Sequence, residues 1–133
     1  MCNSKCSTLG DSSQVDNLGS HRFVKIPFGG DVFRIAVALS DSATLYCGTE
    51  SGVVFKTTDH GMSWQPCAPQ HNFGGSIFSI AVHPTDKNTV YVGGGPWLWK
   101  STDGGETWNR CGGISTRVNS IRINPENTDY ITA

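Results

Sequence analysis

Two carboxylates are the residues of this chain best suited by type and position to acid–base chemistry. Asp31 lies just before one predicted strand and Glu50 just after the next, and both loops are predicted to share one face of the fold. Two carboxyl groups can supply the acid and the base of a hydrolytic reaction, so this pair is the candidate catalytic set. No Ser-His-Asp arrangement and no phosphate-cradling loop accompanies it.

The candidate binding residues on the same face are two cations, an aromatic and an amide: Arg34, Trp97, Arg117 and Asn119. A guanidinium binds a carboxylate through two parallel hydrogen bonds, and an aromatic face packs well on a sugar ring. Core packing is the alternative for Trp97, because Trp99 shares its strand. Arg34 is replaced by serine at the matching positions 79 and 120, so a chance inner-strand arginine is the alternative there.

The cysteines and histidines predict no metal and no cofactor. Cys2 and Cys6 form a C-x3-C pair without two further ligands at regular spacing. Cys67 and Cys111 are expected at matching places on neighbouring units, too far apart for a disulfide, and free thiols are predicted. The histidines also lack metal-ligand spacing: His21, His71 and His83.

The composition argues against nucleic acid and membrane as partners. The net charge is −1, and the 10 Lys and Arg form no basic run. No apolar stretch approaches the roughly 20 residues that span a membrane, and no signal peptide is visible. Sixteen glycines and only 16% charged residues are typical of short strands joined by tight turns.

An internal repeat determines which architecture must position these residues. The octapeptide TTDHGMSW at 57–64 returns as STDGGETW at 101–108. Residues 28–37 likewise match 73–82, and 45–48 match 90–93. A third copy begins at 120–125, which we align with 79–84, and we align 127–131 with 88–92. Self-similarity at this period indicates a repeat fold.

Each repeat is predicted to form four antiparallel strands, which is a β-propeller blade. Apolar alternation and β-branched residues place inner, buried strands at 32–39 and 77–83. The other predicted strands are 22–26, 44–48, 52–57, 63–67, 89–93, 97–101 and 107–111. The polar residues 1–20 are expected to be a disordered tail, which leaves 21–133 as an all-β propeller segment.

The predicted segment contains about two and a half blades, and propellers usually need four to eight. An open stack would leave sheet edges and apolar faces uncovered. We therefore expect further blades, supplied either by a longer chain or by an oligomer. A ring of such chains would lack one strand in the shared blade, which favours the first alternative.

The repeated octapeptide is predicted to staple the turn between the third and fourth strands. Its aspartate accepts backbone N–H groups across the turn, its glycine supplies a positive φ, its tryptophan packs between blades, and its hydroxyl adds a short bond. These residues are Thr57, Asp59, Gly61 and Trp64, then Ser101, Asp103, Gly105 and Trp108. The predicted role of these aspartates is structural, and His60 is expected to be exposed on its turn.

Residues 57–64 and 101–108 resemble the Asp box, or BNR repeat, whose pattern is [ST]-x-D-x-G-x-x-W. Asp boxes occur in sialidases, other glycoside hydrolases, sortilin-type receptor ectodomains and photosystem assembly factors. The wider pattern around residues 80–105 is most similar to xyloglucanase and photosystem-assembly repeats. The resemblance implies a propeller fold, while these families share the box and not a chemistry.

Three functions stay open after the resemblance. The leading hypothesis is a non-catalytic scaffold or binding module that contacts a glycan or protein through the channel-face loops. A fragment of a glycoside hydrolase is the alternative. Glu50 falls near the position at which xyloglucanase-type enzymes carry a catalytic Asp, and residues 33–35 resemble the F-R-I-P motif of sialidases, whose Arg binds the substrate carboxylate. Ala36 replaces the proline of that motif. An assembly factor for a protein complex is the third.

Overall fold

The computed structural model describes residues 30–113 and 117–133. Within these residues the chain forms ten strands and no helix, so no helix there is long and apolar enough to cross a membrane. The predicted tail at 1–20 and strand at 22–26 lie outside the described residues. The strands are β1 (Val32–Val37), β2 (Leu45–Thr49), β3 (Val54–Thr57), β4 (Gln65–Cys67), β5 (Ile77–Val82), β6 (Val90–Gly94), β7 (Trp97–Ser101), β8 (Asn109–Gly113), β9 (Arg122–Ile123) and β10 (Ile131–Thr132).

The strands form two complete propeller blades and the beginning of a third. Blade 1 is an antiparallel sheet in the order β1-β2-β3-β4, and blade 2 repeats it as β5-β6-β7-β8. β9 and β10 pair as a two-stranded third unit. The all-β, partial-propeller prediction is therefore confirmed, because each four-stranded sheet runs up and down without a crossover.

The aspartates of the repeated turn accept the backbone bonds that their positions predict. Asp59 accepts the Ser63 N–H at 2.9 Å, and Asp103 accepts the Thr107 N–H at 2.9 Å. The hydroxyl of the same Ser or Thr donates to the second carboxylate oxygen. These bonds, from the Ser63 and Thr107 side chains above all, lower the pKa of each aspartate to about 2.

The hydroxyl and glycine of the turn satisfy its inner N–H groups. Thr57 Oγ1 accepts the Gly61 N–H at 3.1 Å, and Ser101 Oγ accepts the buried Gly105 N–H at 2.8 Å. Gly61 and Gly105 have φ of 87° and 94°, a conformation that side chains resist. His60 is exposed with a φ of 60°, as expected for a residue at the tip of the turn.

A second turn motif, absent from the sequence analysis, joins the first two strands of each blade. Asp41 accepts the Ala43 N–H at 3.1 Å and the Thr44 hydroxyl at 3.0 Å. Asp86 accepts the Asn88 N–H at 3.0 Å and the Thr89 hydroxyl at 2.7 Å. The spacing Asp-x-x-Thr is therefore a second repeated signature, an Asx turn that fixes the entry into the second strand.

The largest cluster of buried residues lies between blades 1 and 2. The trailing face of blade 1, which carries Tyr46, Val54 and Cys67, packs against the leading face of blade 2. That leading face consists of Ile77, Val90, Val92 and Trp108, joined by Phe73 from the preceding loop. The Trp108 ring meets the Phe73 ring edge-on at 5.1 Å, and its Nε1 donates to the Gly105 carbonyl at 3.0 Å. Trp108 thus packs between blades, as its position in the repeat predicts.

Glycines in the second strands let consecutive blades approach closely. A Cβ on Gly48 would lie 2.7 Å from the Cβ of Ile77, and a Cβ on Gly93 would lie 2.7 Å from that of Val118. Both distances are shorter than carbon atoms tolerate, so no larger residue fits without movement. The repeated glycine is therefore a packing requirement between units, which the sequence analysis did not assign.

The prediction that residues 32–39 form a buried strand is wrong for blade 1. Ile35 and Val37 are 56% and 47% exposed. Ile80 and Val82, the residues at the matching positions of β5, are partly buried against the core between the blades. The difference arises because blade 1 covers β5, whereas no other blade covers β1 in the described part of the chain.

The alignment of 127–131 with 88–92 is also wrong. The Asn124 N–H donates to the Tyr130 carbonyl at 3.0 Å, as the His83 N–H donates to the Thr89 carbonyl at 2.8 Å. Tyr130 therefore takes the place of Thr89, and the offset of 41 seen at 120–125 holds through the third unit. Tyr130 is 69% exposed in consequence.

A histidine lies at the junction between the blades, and its protonation should weaken the fold. The His71 ring contacts the rings of Phe73 and Trp99 edge-on, each at 4.5 Å. Its Nε2 is buried without a hydrogen-bond partner among the described residues, and burial lowers the pKa of His71. As the pH falls below about 6.5, His71 is protonated more readily in the unfolded chain than in the folded one. The free energy of unfolding therefore decreases as the pH falls.

We therefore expect the free energy of unfolding to decrease between pH 7 and pH 5, and His71→Leu to flatten that slope. Urea unfolding at several pH values measures it, with His60→Gly as the control because Gly104 occupies the matching position of the second turn. An unchanged slope in His71→Leu would show that other groups cause the acid sensitivity.

Candidate functional site

The loops that the sequence analysis assigned to one face do meet on one edge, here called the upper edge. A Cβ on Gly52, in the loop after β2, would lie 2.7 Å from the Gly75 carbonyl oxygen in the loop before β5. A Cβ on Gly95 would likewise lie 2.6 Å from the Gly74 carbonyl oxygen. The upper edge therefore consists of the loops before the first strand and after the second strand of each blade.

The repeated Asp-x-Gly turns lie on the opposite, lower edge. The His60 N–H donates to the Ala43 carbonyl at 3.0 Å, and the Gly104 N–H donates to the Asn88 carbonyl at 2.9 Å. Both acceptors belong to the loops between the first and second strands. The lower-edge loops of the two blades are joined by the ion pair of Lys87 and Asp41, at 2.7 Å. The turn aspartates are thus remote from the upper-edge residues.

Asp31 and Glu50 are neighbours on the upper edge. The Glu50 N–H donates to the Asp31 carbonyl at 2.8 Å, and both residues are exposed. The loop that carries Glu50 is fixed by Thr49, whose Oγ1 accepts the Val53 N–H at 3.0 Å and lies 3.0 Å from the Ser51 hydroxyl. The structure therefore joins the backbones of the two residues that sequence analysis selected, on a braced loop.

An aromatic pair beside these carboxylates was missed by the sequence analysis. The rings of Phe33 and Phe78 stack with centroids 5.9 Å apart and an angle of 27° between their planes. Each phenylalanine lies at a β-bulge. The residues on either side of it pair with the neighbouring strand, and the register shifts by one between those two pairs. A bulge residue is left out of the ladder and its side chain is redirected. The available signal was the identical position of both phenylalanines in the repeat.

Arg117 extends this pair into the third unit. Its guanidinium lies over the Phe78 ring, 4.4 Å from the centroid, and the residue is exposed. A cation over an aromatic face is attracted by the ring quadrupole. The next residue, Val118, donates its N–H to the Gly95 carbonyl at 3.2 Å, which ties this segment to the upper edge of blade 2. Asn119 is exposed at the position that corresponds to Phe78.

Arg34 lies on β1 next to Phe33. Its Nη1 donates to the Phe33 carbonyl at 2.7 Å, and the side chain is otherwise exposed. One guanidinium nitrogen is thus occupied by the backbone, and the others face solvent. The arginine adds a positive charge close to the aromatic pair.

Trp97 lies further out on the upper edge, where its ring is half-buried. The Arg110 guanidinium lies over it, 4.3 Å from the centroid, and a Cβ on Gly74 would lie 3.0 Å from its Cδ1. Trp99 takes the core position instead, because its Nε1 donates to the Phe73 carbonyl at 3.2 Å and its ring packs on the core between the blades. A ligand that stacks on Trp97 would have to displace Arg110.

The described residues contain no group of three or more His, Cys, Asp or Glu side chains that could hold a metal ion. The Cys67 thiol is buried, which raises its pKa to about 12 and keeps it protonated. Cys111 is a free thiol on the outer strand of blade 2. The chemistry available on the upper edge is therefore that of exposed carboxylates, guanidinium groups and aromatic rings.

No protein-family model and no curated protein matches the chain, but solved structures do. It is similar to an ancestral GH74 enzyme, with a TM-score of 0.69 and 26% identity over 77% of the chain. It also resembles the GH74 enzyme of Niastella koreensis (TM-score 0.58, 23% identity, 71% of the chain) and the GH74 xyloglucanase of Xanthomonas campestris (0.57, 19%, 76%). The chain spans only 13, 17 and 19% of these three chains.

Proposed function

We propose that this chain is a segment of a glycoside-hydrolase-related propeller and that its upper edge binds a neutral polysaccharide of the xyloglucan kind. The fold similarity to GH74 enzymes supports the class of protein. The choice of ligand starts from a neighbour that is described as a xyloglucanase. The observation that carries the proposal is the stacked Phe33–Phe78 pair beside Asp31 and Glu50.

The chemistry of this edge suits a sugar chain. Pyranose rings present flat faces of C–H groups, which pack on aromatic rings, and a rim of hydroxyls, which need donors and acceptors. Phe33 and Phe78 supply the apolar surface, while Arg117 and Asn119 supply donors. The carboxylates of Asp31 and Glu50 accept hydrogen bonds from hydroxyls. Ligand sites commonly combine aromatic surface with a few polar groups in this way.

The role of this segment in the proposal is binding, with catalysis as the second candidate. The observation that favours catalysis is the backbone contact between Asp31 and Glu50, two exposed acidic residues on one edge. Glycoside hydrolases work with two carboxyl groups. If the chain hydrolyses xyloglucan, Glu50→Gln should abolish the release of reducing ends while Glu126→Gln, in the third unit, should not.

Replacing Phe33 with alanine should weaken binding of a xyloglucan oligosaccharide about tenfold, which corresponds to about 1.4 kcal/mol. The reason is the loss of one ring of the stacked pair. Because the Phe33 side chain is 36% exposed, the melting temperature should change little. Isothermal titration calorimetry with the oligosaccharide measures the affinity.

Met62→Ala is the matched control, because Met62 is 53% exposed on a lower-edge turn. It should leave the affinity unchanged. Equal affinity in the wild type and Phe33→Ala would exclude the aromatic pair from the binding site. No measurable binding by the wild type would contradict the glycan proposal and leave a protein partner as the alternative.

A further inference from the structure

We propose that His71 is a pH-dependent switch: protonation of its ring releases the loop between the blades and weakens ligand binding at the upper edge. This inter-blade loop consists of residues 68–76 and joins β4 to β5. The inference rests on the proposed function for the identity of the ligand and adds a regulation of the same site. The release of the loop itself depends only on contacts within the chain.

The inter-blade loop connects the two sides of the proposed binding edge. On the acidic side, the loop that carries Glu50 packs on it so closely that a Cβ on Gly52 would lie 2.7 Å from the Gly75 carbonyl oxygen. On the basic side, Gly95 packs on the same loop, and its carbonyl accepts the Val118 N–H at 3.2 Å. Val118 lies between the two polar residues at 117 and 119. A movement of the inter-blade loop would therefore displace both sides of the binding edge together.

Aromatic contacts of His71 fix the inter-blade loop to blade 2. Its ring meets the rings of Phe73 and Trp99 edge-on, each at 4.5 Å. The Trp99 Nε1 donates to the Phe73 carbonyl at 3.2 Å, and the His71 N–H donates to the Ala68 carbonyl at 2.8 Å. Phe73 is almost completely buried in the cluster between the blades. His71 is therefore packed at the point where the inter-blade loop is attached to the core.

The neutral form of His71 fits this position and the charged form does not. A neutral imidazole has one N–H donor, whereas the imidazolium has two. The buried Nε2 has no hydrogen-bond partner among the described residues, so the imidazolium would bury a charge and an N–H group without an acceptor. The same burial lowers the pKa of His71. Release of the loop lets water solvate the charged ring, and protonation therefore favours the released loop.

No acidic residue of the surrounding strands compensates this charge, because β4 to β8 and the inter-blade loop contain no Asp or Glu. Their titratable and cationic side chains, apart from His71, are Cys67, Tyr91, Lys100, Arg110 and Cys111. Burial raises the pKa of both thiols, so they stay neutral, while both cations lie over other aromatic rings. The upper-edge acids, Asp31 and Glu50, are exposed on the loops of blade 1. The charge on His71 would thus stay unpaired in the packed loop.

The inter-blade loop begins with a strained residue, which makes its release easier than unfolding of the blades. Ala68 has a φ of 43°, in a region that residues with a Cβ rarely adopt. Such strain persists only while the surrounding contacts hold it, and it is relieved when they open. Protonation of His71 and the strain at Ala68 therefore act in the same direction. The loop should open at a pH at which the blades are still folded.

NMR spectroscopy and calorimetry between pH 7 and pH 5.5 test both parts of the inference on the full chain. Amide signals of residues 73–76 and the indole N–H signal of Trp99 should shift with one midpoint, whereas the signals of the turn at 101–108 should stay constant. That turn is a suitable reference because the pKa of Asp103 is about 2. The affinity for a xyloglucan oligosaccharide should fall about threefold or more over the same range.

Two variants that cannot titrate at this position separate His71 from the other groups. In His71→Leu, and in His71→Gln, which keeps a neutral polar side chain, the loop signals should stay constant and the affinity should change by less than about 1.5-fold. His60→Gly is the matched control, because His60 is an exposed histidine of the lower edge. It should keep the pH dependence of the wild type.

The two readouts separate this inference from the proposed ligand. Loop signals that shift with His71, together with no oligosaccharide binding at any pH, would contradict the ligand and confirm the switch in the loop. Loop signals that stay constant while the His71 ring titrates would overturn the switch. So would an oligosaccharide affinity that does not fall at pH 5.5, or that falls equally in the wild type and both His71 variants.

Discussion

Trp108→Ala is expected to lower the free energy of unfolding by about 3–5 kcal/mol, the usual cost of removing a large buried aromatic side chain. Trp108 is almost completely buried between the blades, where its ring meets Phe73 and its Nε1 is bonded to the Gly105 carbonyl. The alanine would leave a cavity and an acceptor without its partner. Equilibrium unfolding in urea, followed by circular dichroism, measures the loss.

Trp97→Ala is the control for this prediction, since Trp97 is half-buried on the upper edge under an exposed arginine. Its cost should be clearly smaller than that of Trp108→Ala. If the two substitutions cost the same, the core would not be concentrated between the blades in the way the structure indicates.

Gly48→Ala is expected to destabilise the chain by about 1–3 kcal/mol, because the added methyl group overpacks the contact between the blades. The Cβ would lie 2.7 Å from the Cβ of Ile77, which is fully buried and cannot move away without opening the core. The midpoint of urea unfolding should therefore fall.

Gly112→Ala is the matched control, because it makes the same change in a strand where the nearest side-chain atom, the Leu98 Cβ, is 3.9 Å away. Alanine is intrinsically favoured over glycine within a strand by about 0.5–1 kcal/mol. Gly112→Ala should therefore be neutral or stabilising. A similar loss in both variants would show that Gly48 is not a packing requirement.

The local signals in the sequence predicted most of the fold. The spacing of Asp59 and Asp103 within their octapeptides predicted turns that the hydrogen bonds display, because those bonds are made within five residues of the chain. The repeat predicted the four-stranded sheets because each strand pairs with the next strand along the chain. The upper-edge loops were assigned correctly once the strand order was known, since up-and-down strands leave little freedom in which edge a loop occupies.

The features that sequence analysis missed depend on contacts between units. The closeness of Gly48 to Ile77 is a property of two blades together, and the exposure of Ile35 depends on what covers its sheet. The Phe33–Phe78 stack requires a bulge, which the strand pattern alone does not reveal. The alignment around Tyr130 is misleading because Asn127, Thr128 and Tyr130 match the residue types at 88, 89 and 91, whereas the backbone bonds follow the offset of 41.

The most direct test of the proposed binding edge is a map of amide chemical shifts by NMR, recorded while a xyloglucan oligosaccharide is added. The account predicts that the largest shifts occur on the upper edge, at residues 31–34, Glu50, Phe78 and 117–119, and that the lower-edge turns at 57–64 and 101–108 stay unchanged. Shifts confined to those turns, or no shifts at millimolar oligosaccharide, would contradict it.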